Sequence, residues 1–138
     1  MVIGETRNSM TDRTSNSIVN KIIVAGGREF TDYDKAKRHI LELIDEGFIT
    51  WDDELVCGMA RGADRVGMDV WIHVLRNKVH EFPADWNKHG RAAGPIRNAE
   101  MGQFADKLIA FWNGESKGTK HMIDYMEKLG KPVKVILY

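Results

Sequence analysis

The sequence predicts a single small α/β domain, doubly wound around a parallel sheet of five strands. The chain has 138 residues, a length typical of one domain, and its 43% of hydrophobic residues is enough for a packed core. Short apolar runs alternate with helical patterns in the order β-α-β-α-β-α-β-α-β. Strands separated by helices are joined by crossovers and therefore lie parallel. Because such crossovers are right-handed, helices cover both faces of the sheet.

The individual elements follow from hydrophobic periodicity and from the residues that interrupt it. Short runs rich in β-branched or aromatic residues predict strands at 21–25, 54–57, 79–82, 107–112 and 134–138. Apolar residues at helical spacing predict helices at 34–47, 63–77, 95–104 and 119–129. Residues 84–94 are polar and contain two glycines, which predicts a loop. Residues 1–20 are polar without apolar periodicity, which predicts a polar tail ahead of a domain at 21–138.

Composition excludes several classes of function. The formal net charge is zero, so the chain as a whole does not attract polyanions, and we expect nucleic acid to be an unlikely partner. The single cysteine, Cys57, excludes a disulfide framework, and no histidine spacing suggests a metal, so neither a metal nor a cofactor is expected. No apolar run approaches the ~20 residues of a membrane span, and the start lacks the apolar segment of a signal peptide. These features predict a cytoplasmic protein without a membrane partner.

The candidate site comprises the residues that follow each strand, because ligands of doubly wound sheets bind beyond the carboxyl ends of the strands. After the first strand, Gly26 and Gly27 allow close backbone approach, and Arg28 can bind a phosphate bidentately. The alternative is a tight turn in which Arg28 pairs with a surface carboxylate. Glu29, which follows, is a candidate catalytic carboxylate.

The second strand is followed by small residues around a predicted helix start. Gly58 and Arg61 precede Gly62 and Ala63, whose helix amides would be exposed to an anion. Asp64 lies in the first helical turn. It is a candidate to hold a ribose hydroxyl or a water, or to act in catalysis, and the alternative is a helix cap.

The third strand is followed by a basic segment that predicts an anion site. Trp86 is a candidate for stacking on a base, although it could equally belong to the core. The next helix opens with Gly94 and Pro95, and Arg97 and Asn98 supply donors in its first turn. The alternative is a solvated basic loop. Four potential cations lie within ten positions: Lys88, His89, Arg91 and Arg97.

The fourth strand leads into a loop and a helix start that could hold another phosphate. Thr119 is the predicted N-cap of this helix, and Ser116, Thr119 and the amides around Gly118 are the predicted phosphate ligands. The alternative is an ordinary cap behind a mobile loop. No single loop is specific, but all four fall at one edge of the sheet.

Five stretches of the sequence carry a resemblance to a known family: GGREF at 26–30, CGMARGAD at 57–64, FPADW at 82–86, AGPIRNAEM at 93–101 and KLIAFWNGESKGT at 107–119. Together, and in this order over roughly residues 21–138, they resemble the YspA-type branch (DUF2493) of the SLOG superfamily. The resemblance implies a Rossmann-like fold and a nucleotide-related ligand. Wider relatives are the Lonely Guy phosphoribohydrolases, which cleave the base from a nucleoside 5′-monophosphate, DprA, which binds single-stranded DNA, and sensors of ADP-ribose derivatives.

One departure from the Lonely Guy pattern bears on function. Those enzymes carry a PGGxGTxxE motif whose glutamate takes part in catalysis. Gly118 and Thr119 match its Gly-Thr pair, but Met122 stands where the glutamate would be. Arg97 is the counterpart of the family's neighbouring arginine. The resemblance therefore implies phosphate binding more strongly than hydrolysis.

Three functions follow as expectations. The first is binding of a nucleotide or nucleotide-derived ligand, such as a nucleoside phosphate, an ADP-ribose-like molecule or a cyclic nucleotide. The second is hydrolysis of the N-glycosidic bond of a nucleotide, in which Glu29 or Asp64 would stabilise the cationic sugar or orient water. The third is binding of single-stranded nucleic acid, which the balanced charge disfavours. A homo-oligomer is also expected.

Overall fold

A computed structural model describes residues 18–138 and contains one five-stranded sheet in which every pair of neighbouring strands is parallel. The strand order is β3-β2-β1-β4-β5. The predicted fold class, a small α/β domain with a parallel five-stranded sheet, is confirmed. The predicted polar tail falls largely on residues 1–17, outside the described residues. The strands are β1 Lys21–Gly26, β2 Glu54–Cys57, β3 Val79–Glu81, β4 Lys107–Trp112 and β5 Val133–Leu137.

Helices follow each of the first four strands. None of the helices in residues 18–138 combines the length and the apolar character that a membrane-spanning helix needs. The helices are α1 Tyr33–Asp45, α2 Ala63–Val70, a π-helical turn Trp71–Leu75, α3 Trp86–His89, a 3₁₀ turn Gly90–Ala92, α4 Ala93–Phe104 and α5 Lys117–Lys128.

Three local predictions are corrected. The predicted loop at 84–94 contains the short helix α3, because the Asp85 carboxylate accepts from the Lys88 amide at 3.1 Å and caps a helical turn. The N-cap of α5 is Ser116 rather than Thr119, whose amide donates to the Ser116 hydroxyl at 3.4 Å. The predicted second helix ends two residues early, because Arg76 adopts a left-handed conformation with φ +55°.

The core consists of two layers, one on each face of the sheet. Ile22 and Val24 point from β1 into the layer beneath α1 and α2, whereas Ile23 points into the layer beneath α4 and α5. Successive side chains of a strand point to opposite faces, so the buried residues 22–25 of β1 must all be apolar to serve both layers. Trp71 is fully buried in the first layer, and its indole N–H donates to the Asp53 carbonyl at 2.9 Å.

A buried carboxylate stabilises the amino end of the sheet. Asp53 is fully buried and accepts from the Asn20 amide at 3.0 Å and the Thr50 amide at 2.9 Å. The Thr50 hydroxyl also donates to it, at 3.1 Å. These bonds join the segments that lead into β1 and β2, and they lie at the opposite end of the sheet from the candidate site.

The strand order places a crevice at the carboxyl ends of β1 and β4. The chain moves from β1 outward to β2 and β3, then crosses to β4 on the other side of β1. The connections therefore leave β1 and β4 in opposite directions, which opens the space between them for a ligand.

Candidate functional site

A cavity of about 680 Å³ lies at this crevice. Its wall is built from the segments that follow β1, β2, β3 and β4, together with the first turns of α4 and α5. Most of the residues proposed from sequence line it: Gly26, Arg28, Glu29, Gly58, Asp64, Trp86, Gly94, Pro95, Arg97, Asn98, Gly118 and Thr119.

Five of the proposed residues do not line the cavity. Arg61 and Arg91 are exposed outside its wall. Gly27, Gly62 and Ala63 instead join the loops after β1 and β2: the Ala63 amide donates to the Gly27 carbonyl at 3.0 Å and is not available to an anion. Gly62 has φ +83°, and a Cβ there would overlap the Gly27 and Arg28 backbone. Glycine at 62 is thus required by the close packing of these two loops.

Asp64 is the buried carboxylate of the site. It is 6% exposed, and its Oδ2 accepts from the Ala60 amide at 3.2 Å. Within residues 18–138, no hydrogen bond reaches its other oxygen. Burial raises the pKa of Asp64 from 3.8 to about 6, although the Ala60 amide and the positive charges of Arg97 and Arg65 lower it. Asp64 does not cap α2, whose N-cap is Gly62, and its side chain lies at the cavity wall.

Arg97 lines the cavity from the second turn of α4, because this helix begins at Ala93 and not at the predicted Pro95. Its Nη1 donates to the Gly58 carbonyl, and its Nε donates to Asn98 Oδ1 at 3.0 Å. A Cβ on Gly58 would lie 2.7 Å from Arg97 Nη1 and 2.8 Å from Asp64 Oδ2. Gly58 therefore allows the guanidinium and the carboxylate to approach the same point of the loop.

The loop after β2 has a strained backbone. Met59 adopts φ +63°, a left-handed conformation that is uncommon for a side-chain-bearing residue. The Arg65 guanidinium supports it by donating from Nε and Nη2 to the Met59 carbonyl, each at 3.2 Å. This conformation places the Ala60 amide on Asp64, so the strain is linked to the geometry of the buried carboxylate.

Glu29 is held at the rim of the cavity by residues far away in sequence. The Tyr138 hydroxyl donates to Glu29 Oε1 at 2.9 Å, and the Asn113 side-chain amide lies 3.5 Å from the same oxygen. Burial, followed by the interaction with Glu29, raises the pKa of Tyr138 to about 12. A Cβ on Gly27 would overlap the Tyr138 hydroxyl, which explains the glycine at that position.

The first turn of α5 forms the opposite wall. Ser116, Lys117 and Gly118 line the cavity, and the Ser116 hydroxyl and carbonyl accept from the Thr119 and Lys120 amides. The amides of the first helical turn have no acceptor within the helix, so those of Lys117 and Gly118 remain for a ligand. Lys117 adds a positive charge, and a helix of this length contributes its dipole.

The mouth of the cavity is apolar. Trp86 is 52% exposed, and with Pro83, Ala84 and Pro95 it lines one end. Gly94 faces the Trp86 ring, whose Cη2 would lie 3.6 Å from a Cβ at that position. The exposed indole of Trp86, beside an alanine and two prolines, provides an apolar surface on which a planar group can stack.

Sequence reasoning missed about half of the lining. Met101 and Met122 are buried helix residues whose pattern marks them as core, and it gives no sign that they also form the floor of a cavity. Tyr138 was assigned only to a strand, and nothing in the sequence connects it to Glu29. Ser116, proposed with Thr119 as a phosphate ligand, also lines the cavity. The other lining residues not proposed from sequence are Ala25, Met59, Ala60, Pro83, Ala84, Lys117 and His121.

The chain has similarity to a phage protein and to a solved structure. It is 40% identical over 85 residues to the Gene 61 protein of Mycobacterium phage D29, a region that is 57% of this chain and 67% of the phage protein. Its fold is similar to that of DNA processing protein A from Helicobacter pylori, a structure described for its unique single-stranded DNA binding mode. The TM-score is 0.58 at 19% identity, over 84% of this chain and 64% of that one. No protein-family model matches the chain, so the YspA-type branch remains a prediction.

The similarity to DNA processing protein A corrects one expectation. Nucleic acid was expected to be an unlikely partner because the formal net charge is zero. That expectation is wrong, because a protein with this fold binds single-stranded DNA. Net charge is an average over the whole surface, whereas the cavity wall carries Arg28, Arg97 and Lys117 against two carboxylates.

Proposed function

We propose a function for this chain, which belongs to the family of the Gene 61 protein of Mycobacterium phage D29, from the geometry of its cavity. The cavity binds a nucleotide or a nucleotide-derived ligand at the carboxyl edge of the sheet. The observation that carries this proposal is Asp64: a buried carboxylate with one free oxygen, facing a cavity that also has free helix amides and an exposed indole.

The phosphate of the ligand binds at the first turn of α5. The free amides of Lys117 and Gly118, the helix dipole and the Lys117 ammonium all favour an anion there. Arg28, on the loop after β1, provides a second cation on the cavity wall. Gly118 leaves room for the ligand, since a Cβ on it would meet no atom within 4 Å.

The sugar binds at Asp64, because a sugar hydroxyl can donate to its free oxygen and satisfy it. A buried polar group without a partner costs about 1–3 kcal/mol, and a ligand hydroxyl removes that cost. The base stacks on Trp86 at the mouth. In this orientation the start of α5 binds the phosphate, Asp64 binds the sugar and Trp86 binds the base.

Calorimetric titration with paired variants tests the proposal. The ligands are nucleoside mono-, di- and triphosphates, NAD and ADP-ribose. Trp86→Ala should weaken binding by about 1–3 kcal/mol, the range measured for stacking of a base on an aromatic side chain. Trp51→Ala is the matched control, because Trp51 is 51% exposed and does not line the cavity. Equal affinity of the two variants would contradict the assigned base site.

Two lysine variants on α5, one in the cavity wall and one outside it, test the phosphate site. Lys117→Ala should reduce the preference for AMP over adenosine, whereas Lys120→Ala should not, because Lys120 pairs with Asp124 at 2.7 Å and lies outside the cavity wall. The same samples are analysed by mass spectrometry for free base. Its release would identify hydrolysis by Glu29 or Asp64, whereas an intact ligand would identify a binding module.

A second candidate function, binding of single-stranded DNA, is favoured by the fold similarity to DNA processing protein A. Trp86 opens α3, and three further basic residues follow it along the chain, outside the cavity wall: the exposed Lys88 and Arg91 and the half-buried His89. Fluorescence anisotropy of a labelled oligothymidine tests it at several salt concentrations. The slope of log K against log salt concentration gives the number of ions released on binding. Replacing Lys88 and Arg91 by alanine should lower that number by about 1–2. No change in anisotropy at low salt would refute this candidate.

A further inference from the structure

The outer edge of β5 has unpaired backbone groups. β5 is the last strand in the sheet order, and within residues 18–138 no strand pairs with its outer side. The Leu108 amide donates to the Pro132 carbonyl at 3.0 Å, and the Tyr138 amide donates to the Trp112 carbonyl at 3.1 Å. Peptide groups alternate along a strand, so the even-numbered residues face β4. The N–H and C=O groups of Val133, Val135 and Leu137 therefore point away from the sheet.

The side chains of this edge are apolar and exposed. Val135 is 42% exposed, and Leu137, the last residue of β5, is 65% exposed. Edge strands are commonly protected by charged side chains, above all lysine. The lysine of β5, Lys134, places its ammonium 5.6 Å from the centre of the Phe48 ring, directed over the sheet face. The open edge thus offers three peptide groups and two exposed apolar side chains.

We propose that a second copy of this chain pairs with β5 in antiparallel orientation, centred on Val135. In this register Val135 faces Val135 of the partner subunit, and Val133 faces Leu137 of the partner subunit. The outward peptide groups of the two strands then form six hydrogen bonds. An interface in which the same residues meet across a two-fold axis is closed and stops at the dimer.

The charges of the edge are compatible with this register. Lys134 lies opposite Ile136 of the partner subunit, so the two lysines do not face each other. A register shifted by two residues would place Lys134 or Ile136 on the axis and would leave the ends of both strands unpaired. With Lys134 on the axis, the two lysines would face each other. The formal net charge of zero also means that two copies do not repel each other.

The dimer would leave both cavities open. The cavities lie at the carboxyl ends of β1 and β4, and antiparallel pairing directs the carboxyl edges of the two sheets to opposite sides of a continuous ten-stranded sheet. A ligand at one cavity therefore does not reach the other. The proposal is independent of which ligand the cavity binds.

Sedimentation velocity over a range of protein concentrations tests the proposal. The wild type should show a monomer–dimer equilibrium. Val135→Pro removes an outward N–H but no hydrogen bond to β4, and it should raise the dimer dissociation constant by about 30-fold or more, because two hydrogen bonds are lost per dimer. Leu137→Lys provides a second variant at a 65% exposed position, should Val135→Pro fail to fold.

Ile72→Lys is the matched control, because Ile72 is 46% exposed on the π-helical turn, away from β5. It should leave the dimer unchanged. A wild type that remains monomeric at the highest concentration would overturn the proposal. A dimer that persists unchanged in Leu137→Lys and in folded Val135→Pro would overturn it as well, since its interface would lie elsewhere.

Discussion

Replacing Asp64 by asparagine should make the ligand-free protein more stable at neutral pH. Burial raises the pKa of this carboxyl from 3.8 to about 6, so the folded state binds the proton more tightly than the unfolded state does. The stabilisation due to the protonated form is fully present below pH 3.8 and is lost as the pH rises through 6. Above that, the ionised carboxylate lowers the free energy of unfolding by about 3 kcal/mol, at 1.36 kcal/mol per pKa unit.

Asparagine has the shape of the protonated acid and can accept from the Ala60 amide in the same way. Asp64→Asn should therefore raise the free energy of unfolding by up to about 3 kcal/mol at pH 7.5, with a gain that diminishes towards pH 4.5. Urea denaturation at a series of pH values measures this difference. Asp85→Asn is the control, because Asp85 caps α3 in an exposed position and asparagine caps equally well.

Two outcomes would refute the argument for Asp64. One is an Asp64→Asn variant that is less stable than the wild type at pH 7.5, which would mean that the ionised carboxylate contributes to folding through partners such as Arg97. The other is a difference that does not change between pH 4.5 and pH 7.5. If the argument holds, the carboxylate is retained at a cost in stability, as expected for a group that serves a ligand.

Three further substitutions test other parts of the structure. Arg97→Ala should weaken nucleotide binding by about 1.5–3 kcal/mol, the contribution of a charged hydrogen bond, and an unchanged affinity in calorimetry would remove Arg97 from the site. Asp53→Ala should lower the free energy of unfolding by about 3 kcal/mol, because it leaves buried donors without an acceptor, and a loss below 1 kcal/mol in urea denaturation would show that water replaces the carboxylate. Gly58→Ala should reduce both stability and nucleotide affinity, because its Cβ would displace the Arg97 guanidinium. Gly118→Ala, whose Cβ meets open space, is the control in thermal unfolding, and equal losses in the two variants would contradict the crowding at Gly58.

The fold could be predicted because each strand and most helices carry a local pattern. After Lys21, the predicted strand at 21–25 is apolar at every position, which is expected of a strand buried between two helical layers, and β1 has that position. The errors arose where short-range hydrogen bonds decide the structure. α3 is four residues long and depends on its Asp85 cap, and two hydroxyl residues three positions apart, Ser116 and Thr119, compete as the cap of α5.

The candidate site could be predicted only as far as the strand ends determine it. The strand order brings the four loops together, and most of the residues proposed from them line the cavity. Contacts between distant residues carry no local signal. The hydrogen bond from Tyr138 to Glu29 joins residues 109 positions apart, and the burial that shifts the pKa of Asp64 comes from the packing of several segments.

The most direct test of nucleotide binding is NMR mapping of the backbone amides during titration with a nucleotide such as AMP or ADP-ribose. We predict saturable shifts that concentrate in the loops after β1 and β2 and at the start of α5, in residues 26–29, 58–64 and 116–119. Amides at the amino end of the sheet, around Asp53, should not move. Saturable shifts that lie elsewhere, or no saturable shift with any nucleotide, would contradict the claim that this cavity is a nucleotide site.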